Sequence, residues 1–319
     1  MGNLIKNELM KIFRRPGTYV MIGLLIFVIS VAGIIIKSQE SKGSVPDNAE
    51  WKQALIIQNQ EFEKQLDEMG DAISRDQKAY FDKEIKMNEY RIENDISPNV
   101  DYSVWGFVTD ASMFIELAGL FTIIVAAGIV ASEFSWGTIK LLLIRPITRS
   151  KILLSKYVSV LIFGLLMISL LFSYSVGLGS ILFGLPEQAT PYLNYYEGKI
   201  TEQNMLVHLI IFYGFKSISM VMLATMAFMI SAVFRNSSLA IGLSIFLMFV
   251  GSQVTRVISM KYEWAKFSLF ANTDLLQYFE GAPLVEGMTL SFSIMMLFVY
   301  LLLFHALTFG VFSKRDVAG

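Results

Sequence analysis

Cysteine is absent from the 319-residue chain, which excludes disulfides, thiol nucleophiles and cysteine metal sites; any part outside a membrane holds together without covalent staples. Histidine is almost missing. With only His208 and His305 and no H-E-x-x-H run, a membrane-embedded metallohydrolase has no ligand set, and no metal site is expected. A G-x-x-x-x-G-K-[ST] sequence is lacking too, so the phosphates of ATP have no backbone cradle and the chain is not expected to be an enzyme. Charge is scarce. At 17% charged and 54% hydrophobic residues, with a mean hydropathy of +0.55, a soluble globular domain would aggregate.

What the chain has is long apolar runs. A helix rising ~1.5 Å per residue needs about 20 of them to cross a ~30 Å hydrocarbon core, and helices or closed barrels alone satisfy their backbone groups in lipid. Six spans are expected, at residues 18–36, 109–131, 152–183, 207–233, 238–257 and 289–312, giving an all-α polytopic membrane protein. The third is longer than the core requires, which leaves room for re-entrant or interfacial turns. Lys11, Arg14 and Arg15 precede the first run as they would a secretory signal, but its apolar core is too long and no A-x-A-like site follows; it reads as a retained anchor.

Lys and Arg beside the spans give the orientation. Twelve cations fall on one side: Lys6, Lys11, Arg14 and Arg15, then Lys140, Arg145, Arg149, Lys151 and Lys156, then Arg235, and finally Lys314 and Arg315. Three acids, Glu8, Glu133 and Asp316, accompany them, so this side is expected to be cytosolic with both termini inside. Residues 37–105 on the other side hold nine basic against fifteen acidic residues. From Trp51 to Asn94 this region lacks proline and has one glycine, which favours helix. A 4-3 stripe runs from Leu55 through Asn59, Phe62 and Leu66 to Tyr80, Lys83 and Met87, and a helical hairpin turning near Gly70-Asp71 brings the chain back. The stripe serves packing within the hairpin or a contact with a second subunit or a substrate. The expected organisation is an interfacial helix (1–17), a first span (18–36), an extracellular helical domain (37–108), and five further spans (109–319) with a cytosolic loop at 132–151.

In the first segment Leu4, Ile5, Leu9, Ile12 and Phe13 share one helix face while Lys6, Asn7, Lys11 and Arg14 face away, which suits a helix lying in the headgroup layer; Pro16-Gly17 ends it. The loop between the second and third spans is more specific. Glu133 closes the second span, Gly137-Thr138 follow, an apolar patch Ile139-Leu141-Leu142-Leu143-Ile144 comes next, and Pro146 and Arg149 lead to Lys156. A boundary carboxylate can pair with Lys or Arg, Gly137 lets the backbone pass close to a neighbour, Thr138 can cap a short helix and Pro146 can end it.

This run resembles the permeases of the ABC type-2 exporter family, whose second and third spans are joined by E-x-x-x-G-T, a short apolar helix, P-x-x-R and a lysine. Glu133, Gly137, Thr138, Pro146, Arg149 and Lys156 match that pattern in order, and Leu142 sits in the apolar helix. The amphipathic start, six spans and missing nucleotide motif fit the same family. The resemblance implies two cytosolic ATPase subunits that bind ATP and Mg and dock on this loop, no cofactor on the chain itself, and a second copy or sister permease completing the pathway among membrane lipids. Nucleic acid is not an expected partner. The substrate class stays open among drugs, antimicrobial peptides, envelope lipids and ions. A membrane sensor or scaffold, with the acidic helical domain binding a ligand, is the alternative.

Within the spans, Glu116 and Lys216 lie at matched depth with opposite sign, and either pair or leave Lys216 to snorkel outward. His305 reads as a hydrogen-bonded packing residue. Arg256 and Lys261 read as interfacial anchors. Ala224, Ala227, Ser231, Ala240, Gly242 and Ser244 are expected to let spans four and five approach as a tight pair across their short connection. The resemblance also implies short re-entrant helices in the outer loops, at Pro191–Tyr196 and Asp274–Phe279.

Overall fold

The computed structural model describes residues 1–40, 51–70, 75–98, 102–138, 147–186, 191–196, 198–234, 236–280 and 283–314. Helix α1 (Gly2–Phe13) leads into α2 (Pro16–Glu40), which opens on a proline whose missing N–H would have had no helical partner anyway. Helices α3 (Trp51–Met69) and α4 (Arg75–Glu93) form the polar insertion. Next come α5 (Val104–Ala111), a 3-10 turn and α6 (Ile115–Ser135), which make one column. Helix α7 (Arg149–Phe183) precedes a hairpin of β1 (Tyr192–Tyr196) and β2 (Lys199–Gln203). Helices α8 (Met205–Val233) and α9 (Ser237–Ser259) begin at Asn204 and Asn236, whose side chains accept N–H bonds from the first turn. A 3-10 segment (Glu263–Phe267) and the short helices α10 (Leu269–Asn272) and α11 (Gln277–Glu280) lead to α12 (Leu290–Lys314).

Among the described residues six helices are long and apolar enough to cross a membrane: Pro16–Gln39, Val104–Ser135, Arg149–Phe183, Met205–Val233, Ser237–Ser259 and Leu290–Phe312. The chain is an all-α polytopic membrane protein. The second column starts at Val104, earlier than the sequence reading drew it, because the Val104 N–H finds the Gly184 carbonyl at 3.2 Å and the apolar face continues through the 3-10 turn. That column is the centre of the bundle. Two-thirds of its most apolar window is buried, against 17–39% for the other spans.

The small residues of α8 serve that central column. Ser231 accepts N–H bonds from Val130 and Ala131 of α6 at 3.2 and 3.0 Å, and Ala224 and Ala227 are buried along the same helix, whose most extensive packing is on α6. Spans four and five pack on each other as expected, but each leans more extensively on α6, and of the small residues Gly242 is exposed. The Phe312 ring stands 6.4 Å from that of Phe134, so the end of α12 lies at the same end of the bundle as the end of α6.

In the insertion, α3 and α4 pack on each other about a buried amide cluster: Asn88 donates to Asn59 Oδ1 at 2.8 Å and to Gln58 at 3.2 Å, and Asn59 donates to the Ile85 carbonyl at 3.4 Å. The expected stripe holds from Leu55 to Leu66 in α3, fails at the exposed Met69 and is out of phase in α4. Phe81 stacks on Phe62 at 5.2 Å while Tyr80 is 55% exposed, because Gly70, at φ +48°, turns the chain and resets the helical phase. A buried amide pair fixes register at some loss of stability. Asn88→Leu alone strands Asn59 and should speed amide exchange in α3 and α4 by about tenfold or more. Changing both asparagines to leucine should return protection to the wild-type level; exchange unaltered in the single variant would show that the pair does not hold the hairpin.

The aromatic segment after Pro191 is a β-hairpin, which corrects the expectation of a short helix there. Tyr192 pairs with Gln203 and Tyr196 with Lys199, and Gly198, just before Lys199, takes φ +79°. Tyr90 of α4 donates to Glu202 of β2 at 3.2 Å, docking the insertion on this hairpin.

Candidate functional site

Helix α6 ends because Gly137 adopts φ +71°, a conformation that other residues rarely take, with its N–H on the Phe134 carbonyl at 3.1 Å. Among the described residues nothing lies within 4 Å of the position its Cβ would occupy. The backbone sign by itself calls for glycine, and the close approach expected from sequence is not seen among the described residues. The turn carries Thr138 back over the helix end, where its hydroxyl donates to the Glu133 carboxylate. Thr138 thereby fixes Glu133; the short helix it was expected to cap lies outside the described residues. Leu142 and Pro146, with the apolar patch, lie outside the described residues.

Glu133 sits in the last turn of α6, Lys156 two turns into α7, and Glu8 and Lys11 one turn apart on α1. The four side chains close a ring. Lys156 Nζ lies 2.8 Å from Glu8 Oε2 and 2.9 Å from Glu133 Oε1, while Lys11 Nζ lies 3.1 Å from Glu8 Oε1 and 3.0 Å from Glu133 Oε1. Lys156 is 2% exposed, Glu8 6% and Glu133 7%, so the ring is largely removed from water. Two ammoniums against two carboxylates leave no net charge, which makes such burial tolerable. At Lys11 burial pulls the ammonium down, but the hydrogen bond and charge of Glu133 and those of Glu8 outweigh it and hold its pKa above the ordinary 10.5. Its contribution is complete below pH 10.5 and fades only as pH rises through the higher folded value.

Further contacts press α1 onto this junction. Ser159 of α7 donates to the Ile5 carbonyl at 3.3 Å, Thr18 donates to the Ile12 carbonyl at 2.6 Å, and the Arg15 guanidinium lies 5.3 Å from the Trp136 ring centre. Arg149 begins α7 at the far end of the loop. One ring of charge therefore ties three pieces of chain, α1 and both stems of the loop, into a single body, with a cleft of about 300 Å³ between α1 and the start of α7.

The sequence reading placed Glu133 and Lys156 here and missed Glu8 and Lys11. Lys11, expected to face away, bridges the two carboxylates while keeping 47% of its side chain exposed. The missed signal was phase. Ile5, Glu8 and Ile12 follow i, i+3, i+7 spacing, which puts a carboxylate inside the apolar stripe of an amphipathic helix.

The intramembrane candidates are not brought together with this junction. Lys216 donates to Ser112 Oγ at 3.2 Å, and Glu116 is exposed on the wall of the same cavity; the expected ion pair between them does not form among the described residues. His305 Nδ1 stands 2.8 Å from the Leu301 carbonyl, its ring edge-on to Tyr157 at 4.7 Å, as a packing residue would.

Comparison with known proteins gives relatives of matching extent. The uncharacterized protein YhcI of Bacillus subtilis (strain 168) is 50% identical over 320 residues, covering 100% of both chains. The uncharacterized membrane protein YdbK of the same organism is 31% identical over 226 residues, covering 70% of this chain and 87% of the relative. A family of proteins of unknown function, DUF2705, matches over residues 77–318, which include Glu133 and Lys156, and the chain belongs to that family.

Proposed function

We propose that this protein is the membrane-spanning permease subunit of an ATP-driven ABC exporter in the cell membrane, with both termini cytosolic. Two permeases, identical or sister, form the pathway, and two separate ATPase subunits supply ATP and Mg chemistry. The observation that carries this reading is the charged ring. A loop pushed by a motor transmits displacement only if its stems are stiff, and here both stems and the N-terminal helix are bound through Glu133, Lys156, Glu8 and Lys11. The substrate falls among drugs, antimicrobial peptides and envelope lipids.

Because the chain has no cysteine, Leu142→Cys supplies a unique cross-linking handle in the loop. Cross-linking from it should capture a Walker-type ATPase in native membranes. In the assembled complex, Glu133→Ala or Gly137→Pro should abolish substrate-stimulated ATP hydrolysis while membrane insertion stays intact. Unchanged stimulation would reject coupling through this loop, and capture of a histidine kinase with no ATPase would turn the reading to a sensor.

A further inference from the structure

At the end of the bundle opposite the charged ring, α6, α8, α9 and the segment before α12 enclose a cavity of about 500 Å³, within the ~300–1,000 Å³ of small-molecule sites. Four charged side chains line it: Lys216 and Arg256, Glu116 and Asp274. Met220, Leu223, Met248 and Phe270 supply an apolar wall.

Lys216 lies eleven residues into α8, ~16 Å along its axis from the start, a depth at which an ammonium needs compensation. Its contacts are the Ser112 hydroxyl and the Phe212 ring at 4.8 Å; no carboxylate reaches it among the described residues. Arg256 and Glu116 are likewise without an ion-pair partner among the described residues, and Asp274 accepts the N–H of Leu276 in its own turn at 3.1 Å. The cavity thus holds charges of both signs, unspent on one another, beside apolar surface. A neutral amphiphile would leave Lys216 uncompensated, and a purely anionic one would bring its charge against two carboxylates.

We propose that this cavity binds a zwitterionic phospholipid-type amphiphile, with its phosphate on Lys216 and Arg256, its ammonium on Glu116 and Asp274, and its acyl chain along the methionine wall. Binding belongs to the chain alone and needs no ATPase, so its failure and the failure of the coupling reading are separable.

The full chain in maltoside detergent, titrated with lysophosphatidylethanolamine or lysophosphatidylglycerol of equal acyl length and read by native mass spectrometry, tests it. The zwitterionic lipid should bind about tenfold tighter than the anionic one, the factor that one charge-assisted hydrogen bond carries. Lys216→Gln should weaken both, and Glu116→Gln, an exposed change that spares the packing, should erase the preference. Equal affinity of the two lipids for the wild type, or a preference that survives Glu116→Gln, overturns the proposal.

Discussion

Lys156→Ala is expected to destabilise the protein by about 3–5 kcal/mol, the range for removing one partner from a buried ion pair. The magnitude follows from what the change leaves behind. Lys156 is 2% exposed and lies within 2.9 Å of both Glu8 and Glu133, so its loss sets two buried carboxylates against the single, half-exposed Lys11. Thr138 continues to donate to Glu133, but a hydroxyl does not neutralise a charge. Thermal unfolding in detergent, followed by the loss of the monodisperse peak in size-exclusion chromatography, should show the drop. The diagnostic comparison is Lys156→Met combined with Glu8→Leu. That pair of changes restores charge balance around Lys11 and Glu133 and should recover most of the loss, since a buried ion pair replaced by packed apolar groups is often neutral. If the two substitutions were additive instead, the ring would be a set of independent contacts, and its role as a rigid link between α1 and the loop stems would fall with it.

The sequence exposed the spans because each is set by a property visible in one dimension, about twenty apolar residues in a row. Glu133 and Lys156 were visible for a similar reason, as charges standing at the edges of such runs. Glu8 was not, because its burial depends on the rotation of α1 against α7, and a carboxylate beside Lys6 and Lys11 looks solvated in a linear reading. Phase was also lost at Gly70, where a periodic count carried through a turn selected Tyr80 in place of Phe81. The β-hairpin had a local signal that the aromatic content hid: Gly198 between two runs able to pair, with two residues separating Tyr196 from Lys199. The packing of Ser231 against the backbone of α6 had none, since helix neighbours in a bundle are chosen by the whole set of faces rather than by loop length.

Gly251→Ala is expected to be the second severe change, at about 1–3 kcal/mol, the usual penalty for overpacking a filled site. A Cβ at Gly251 would fall 2.2–2.4 Å from three atoms of the Phe270 ring, far inside contact distance. The ring belongs to a segment that is anchored on both sides. Thr255 of α9 and Ser268 share a hydrogen bond at 2.9 Å, Ser293 of α12 donates to Asn272 at 2.7 Å, and Tyr300 donates to the Phe267 carbonyl at 2.8 Å. With the backbone held, relief must come from the Phe270 side chain, which lines the proposed lipid cavity. The variant should therefore lose thermal stability and bind lysophosphatidylethanolamine more weakly. Phe270→Ala in the same chain removes the clash, so the double-mutant cycle should return a coupling energy of about 1–3 kcal/mol. A cycle without coupling would mean that the segment moves as a whole, and hydrogen exchange across residues 263–280 would then rise in the Gly251→Ala chain rather than stay at the wild-type level.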